Sequence, residues 1–181
     1  MFALTRARLA LAQGDAARAL ALLDAVPRLG SGHGPGERYQ VHAEIERARA
    51  MIAAGRGADA AAAAERALAD LRGLQGGRLP ILEARALAAL GRAQAASGDA
   101  LAARSSFAEA VALHEQHGPA LGLWRAEAEG ALAALMVASD PAASRRLLAS
   151  TRRILQAHPQ AGSHWRRAAA MDGRPPSGAS R

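Results

Sequence analysis

The sequence predicts an all-α protein, a solenoid of about four helix-turn-helix hairpins. Three observations carry that expectation. Alanine supplies 51 of the 181 residues while aromatics make up only 3%. Ala is the strongest helix former but buries little area, so such a chain favours close helix packing over a thick core. Val, Ile, Thr and Tyr are scarce, and no alternating apolar–polar run marks a strand. Four similar junctions then recur: "AQGDAARAL" at Gly14, "AAGRGADAAA" at Gly55, "ASGDALAAR" at Gly98 and "ASDPAASRR" at Ser139. Their spacings of 41, 43 and 41 residues are the self-similarity expected of a repeat architecture.

Each junction joins a helix stop to a helix start. Glycine accepts the left-handed conformation that ends a helix, and Asp15, Asp99 and Asp140 stand where N-caps belong. Pro141 follows Asp140 at the first helical position, where its missing N–H does no harm. Asp59 takes the same role in the second unit, across a double glycine. The predicted helices are 2–13 and 15–26, then 37–54 and 59–71, then 80–97 and 99–116, then 120–138 and 141–157. The units 2–26, 37–71, 80–117 and 120–157 form one domain, 1–157. Between hairpins, 27–37 is Gly-rich and reads as mobile, while 72–80 is shorter and ends on Pro80, well placed to open a helix. Residues 158–181 form a basic tail with the composition of a disordered segment from about residue 171.

The third unit resembles the tetratricopeptide repeat. Leu90-Gly91 precedes Gly98 by eight and seven residues, and Ala103, Phe107 and Ala110 follow it by five, nine and twelve. Gly91 and Ala103 let the two helices of a hairpin approach closely, Phe107 fills the space beside them, and Ala110 leaves room for the next unit. The first unit keeps Gly14-Asp15, Ala19, Leu23 and Val26, with Ala7 in the place of Gly. The second keeps Gly55, Ala60, Ala64 and Ala67. The fourth diverges to Ser139-Asp140, Ser144, Leu148 and Thr151. The resemblance covers residues 2–157 and implies a right-handed α-solenoid that binds other proteins. Repeats longer than the usual 34 residues look like the arrays of bacterial MalT/LuxR-type regulators and of C-terminal regions in bacterial serine/threonine kinases. The chain can therefore be read as an adaptor module of a bacterial signalling protein, or as the detached repeat region of such a regulator or kinase.

Composition excludes several classes. There is no cysteine, hence no disulfide, thiolate nucleophile or Cys-type zinc site. All 23 basic residues are Arg, which with the Ala excess reflects a GC-rich genome. Residues 1–140 carry 15 Arg against 15 acidic residues, whereas 141–181 carry eight Arg and one Asp, so the whole net charge of +7 lies in the C-terminal segment. Arg6 and Arg8 interrupt the first apolar run, which lacks a signal-peptide pattern. The longest charge-free apolar stretch, 131–139, is far short of the ~20 residues that span a bilayer. A soluble, cytoplasmic protein is expected.

Catalytic candidates are poor. His114 and His117 in "HEQHG" lie three apart, but two ligands without a third do not make a metal site, and they read as surface histidines at the negative end of a helix. "SGHGPG" (31–36) lacks phosphate-loop spacing and no Lys exists. Ser31, Ser97 and Ser163 lack a nucleophile elbow. Glu44, Glu46, Glu127 and Glu129 lie near Arg47, Arg49 and Arg125 and read as solvated ion pairs; residues two apart do not share a helix face. Leu121, Leu123 and Trp124 read as core between the third and fourth hairpins, with a ligand-facing Trp124 as the alternative. No enzyme activity, cofactor or metal is expected.

The expected function is a protein-binding scaffold, with partner contacts on the first helices at Arg47, Met51, Arg85 and Gln94. The last helix offers a second surface. Leu147, Leu148, Ile154 and Leu155 form one stripe and Arg145, Arg146, Arg152 and Arg153 the opposite one. This is a solubilising cap or a docking face for an acidic protein or nucleic acid, since Arg makes bidentate contacts to carboxylate and phosphate. Trp165, Arg166 and Arg167 extend it. No stacking platform or recognition-helix pattern favours nucleic acid.

Overall fold

The computed structural model describes residues 2–26, 35–73, 79–117 and 122–161. Residues 27–34 and 162–181, on which most of the expected mobile linker and disordered tail fall, lie outside them. Among the described residues there are eight helices and no strand: α1 (Phe2–Ala12), α2 (Ala16–Asp24), α3 (Pro35–Ala53), α4 (Gly57–Gly73), α5 (Pro80–Ala96), α6 (Ala100–His117), α7 (Gly122–Met136) and α8 (Pro141–Ala157).

The junction chemistry operates as the residue types require. Gly14, Gly55 and Gly98 have φ of +82°, +75° and +86°, where a Cβ is strained. Asp15 Oδ1 accepts the Arg18 amide at 2.9 Å, Asp99 Oδ1 the Ala102 amide at 3.0 Å and Asp140 Oδ1 the Ala143 amide at 2.9 Å. The second junction departs from expectation. Helix α4 begins at Gly57, so Asp59 lies inside its first turn and pairs with Arg56 at 2.8 Å instead of capping.

Neighbouring helices pack in sequence order, and α1, α3, α5 and α7 also touch one another in succession. No two of α2, α4, α6 and α8 pack to a comparable extent. Helices α3, α5 and α7 are therefore enclosed, while α1 and the second helices keep an open side. The repeat positions show this in burial. Five residues after each junction, Ala19, Ala60, Ala103 and Ser144 are buried; so are Val26, Ala67, Ala110 and Thr151 at twelve. In the third unit Phe107 is 1% exposed and lies against Gly91, which is what Leu90-Gly91 and Phe107 were expected to do.

Helix α8 docks differently from the apolar stripe expected of it. Its buried residues are Ser144 and Thr151. Ser144 Oγ donates to the Ala133 carbonyl at 2.9 Å and Thr151 Oγ1 to the Ala126 carbonyl at 3.5 Å. Leu147, Leu148, Ile154 and Leu155 are half-buried beside this seam, and Arg145, Arg146, Arg152 and Arg153 are exposed. Small side chains at the seam let the helices approach until hydroxyl groups reach the opposing backbone. No described helix is long and apolar enough to cross a membrane.

Candidate functional site

The glutamates expected on a solvated surface are buried. Glu44 and Glu46 on α3 are 5% and 1% exposed, and Glu127 and Glu129 on α7 are 4% and 1%. The i, i+2 spacing does send each pair to different faces, but α3 is flanked by α1, α2, α4 and α5, and α7 by α5, α6 and α8. Both faces therefore meet protein. A buried carboxylate requires partners, and arginines on neighbouring helices supply them.

Glu46 is the hub of the first cluster. Its Oε1 accepts Arg8 Nε from α1 at 2.8 Å and Arg85 Nη2 from α5 at 2.8 Å, and Arg49 Nε stands 3.9 Å from Oε2. Glu127 is the second hub: Arg49 Nη2 lies 3.2 Å and Arg92 Nη2 2.9 Å from its Oε1. Trp124 joins the two, with the Arg85 guanidinium 4.0 Å and that of Arg49 5.1 Å from its ring centroid. Such cation–π contacts strengthen when desolvated. Over this cluster, four guanidinium groups face two carboxylates. Burial pulls Arg85 down to about 10, with Glu46 opposing the shift, and lowers Arg92, with Glu127 opposing.

Two histidines border the cluster. Arg85 Nη1 lies 3.1 Å from His42 Nδ1; a guanidinium only donates, so Nδ1 accepts and the ring is neutral. Burial first, then Arg85 and Arg8, hold His42 down at about 4, against Glu46. His114, expected at the surface, is 0% exposed and neither ring nitrogen has a hydrogen-bond partner. Burial, Arg85 and Arg125 lower it to about 4, against Glu127. The reason is its place on the inner side of α6, where it faces Arg92, Trp124 and Glu127. His117 is exposed, so the two rings do not converge. Among the described residues no group of three or more His, Asp or Glu is placed to hold a metal ion.

The other candidate residues separate clearly. Arg47 is 3% exposed; it pairs with Glu44 and donates Nη2 to the Leu23 carbonyl at 2.8 Å, which ties α3 to α2. Arg85 lies in the cluster. Gln94 accepts the Ser106 hydroxyl at 2.8 Å, and Met51 is half-buried against the core. Trp124, expected in the core, is half-buried with its ring against the Arg85 and Arg49 guanidinium groups, and Leu121 lies outside the described residues. On α7, Glu129 accepts Arg125 Nε at 2.6 Å and the Ser150 hydroxyl at 3.0 Å. Trp165, Arg166 and Arg167 lie outside the described residues. One signal in the sequence marked the cluster. Arg8, Arg49 and Arg92 each stand six residues before a junction glycine, a ladder of one residue type across three first helices.

Comparison with models of protein families, with curated proteins and with solved structures finds no match.

Proposed function

We propose that this chain is a non-catalytic scaffold, a right-handed tetratricopeptide-like solenoid of four hairpins, in which an acidic segment of a protein partner docks along the arginine-lined rim of the first helices, where Arg8 on α1 and Arg38 on α3 are accessible. The observation that carries this reading is the ladder Arg8–Arg49–Arg92 with Arg85, in which guanidinium groups outnumber carboxylates by four to two. Packing and ion pairs fix these side chains in advance, so little rotamer entropy is lost when a partner docks. Arg offers the planar geometry suited to carboxylates. The proposal places the protein in the cytoplasm of a bacterium, as an adaptor or regulatory module in signalling, with no cofactor and no turnover.

The exposed arginines of α8 favour a second reading. Arg145, Arg146, Arg152 and Arg153 stand on a helix with no acidic residue, so an acidic protein or a nucleic acid docks there instead. Capture from a bacterial lysate, followed by reconstitution from purified components, separates the two. The scaffold reading expects capture to survive in a chain ending at Ala157 and to weaken on replacing Arg8 and Arg38 by Ala. Loss on truncation with no effect of Arg8 and Arg38 would transfer the function to the basic end.

A further inference from the structure

A groove of about 480 Å³ opens where the N-terminal half of α3 and the start of α5 meet the first turn of α7. Its lining is of two kinds. Arg38 from α3 and Arg85 from α5 supply positive charge, and the neutral His42 ring a polar edge. Pro80, Ile81 and Leu82 of α5, together with Trp124, supply an apolar wall.

Three observations give this groove a preference for an anion. The cluster behind it, among the described residues, brings four guanidinium groups to two carboxylate hubs, Glu46 shared by Arg8 and Arg85 and Glu127 by Arg49 and Arg92. Arg85 itself is 8% exposed and uses both terminal nitrogens, on His42 and Glu46, yet its Nε has no hydrogen-bond partner. An unmade hydrogen bond on a buried charged group is costly, so the positive charge of this guanidinium beside the groove is incompletely compensated. Helix α5 also starts at the groove, and its N-cap residue, Leu79, makes no side-chain capping bond. The positive end of the helix dipole therefore lies beside the groove, offset in part by Glu83 in the first turn.

We propose that this groove binds a small organic carboxylate with an apolar body. The carboxylate lies between Arg38 and Arg85, and the apolar body rests on Trp124, Ile81 and Leu82. Size argues for a free small molecule over a partner segment. The volume falls in the range of about 300–1,000 Å³ typical of small-ligand pockets, and eight residues line it, whereas a stable protein interface engages roughly 20–30 residues a side. This ligand site goes beyond the scaffold reading and does not depend on it.

Only two tryptophans are present, so Trp165→Phe leaves Trp124 as the sole indole reporter. Octanoate and 3-phenylpropionate are titrated into this variant beside octanamide and 3-phenylpropionamide, following Trp fluorescence and heat. Both acids are expected to give saturable responses, with the amides at least about tenfold weaker because the charge-assisted bonds are gone. Arg38 is exposed, so Arg38→Ala is expected to weaken the acids about tenfold while leaving the thermal transition unchanged. A third arm uses a short peptide ending in Leu with a free C-terminus. Equal binding of acids and amides, indifference to Arg38→Ala, or no saturable response to either acid at about 1 mM would overturn the proposal. Binding of the peptide alone would overturn it as well, and would give the groove to a partner segment.

Discussion

A Cβ placed on Gly91 would stand 3.1 Å from three atoms of the Phe107 ring, and Phe107 is 1% exposed. Two effects compete at this residue. Replacing glycine by alanine inside a helix contributes about 1 kcal/mol of propensity. Forcing a methyl group into a filled site costs about 1–3 kcal/mol. Because the ring is almost fully buried and three of its atoms lie at 3.1 Å, overpacking is expected to be the larger effect, and Gly91→Ala to destabilise by about 1 kcal/mol in urea unfolding. In a Phe107→Leu background the obstruction is gone, and the same change is expected to stabilise by about 0.5–1 kcal/mol. Equal effects in both backgrounds would show that the contact does not set the approach of α5 and α6. This pair was legible in the sequence, because a small residue seven before a turn and a large one nine after it have one joint use in a hairpin. Glu46 was not. Read along its own helix it has Arg49 three residues on, the pattern of a solvated pair, while its 2.8 Å partners Arg8 and Arg85 are 38 and 39 residues distant.

The helices themselves were legible from their ends. Three Asp residues cap as their positions demand, and the one misread cap has a physical cause. Gly57 lies so close to the end of α5 that a Cβ there would meet Ser97 Oγ at 2.9 Å. Tertiary contact thus holds helical backbone two residues before Asp59, and the aspartate is left pairing with Arg56 on a side chain 55% exposed. Two outwardly similar aspartates therefore separate in energy. Asp99→Ala removes the bond to the Ala102 amide and is expected to cost about 1 kcal/mol. Asp59→Ala removes a screened surface pair and is expected to cost about 0.5 kcal/mol or less. Thermal unfolding of the two variants at one pH tests the ranking, and a reversed order would remove the capping account of the repeat junction. The docking of α8 was less legible. Ser144 and Thr151 follow Ser139 by five and twelve residues, in step with the buried Ala and Val residues of earlier units, but the leucine stripe beside them carried the stronger apolar signal.

At the scale of the whole molecule, stacking first helices on one another buries charge that no single unit would bury. Packing of α3 against α1 and α5 encloses His42 and packing of α6 against α5 and α7 encloses His114, and this links folding to pH. Both rings are held at about 4 in the folded protein, whereas an unfolded chain returns them to about 6.5. Between these values the unfolded state binds more protons, so stability rises with pH there. The contribution is intact above about pH 6.5, is lost progressively as pH falls towards 4, and changes no further below that. Each fully differing proton gives a slope of about 1.4 kcal/mol per pH unit, so unfolding midpoints measured from pH 8 to pH 4 are expected to fall steeply through the middle of that range. His114 allows the cause to be isolated. Its ring is buried without a hydrogen bond to either nitrogen, and replacing an unsatisfied buried polar group by an apolar one of similar size is neutral or stabilising. His114→Leu is expected to hold or raise stability at pH 7 and to flatten the slope below pH 6.5, leaving the share due to His42. A variant that keeps the full slope would show that acid sensitivity arises elsewhere; one that loses stability at pH 7 would show that the ring makes a contact in solution that leucine cannot replace.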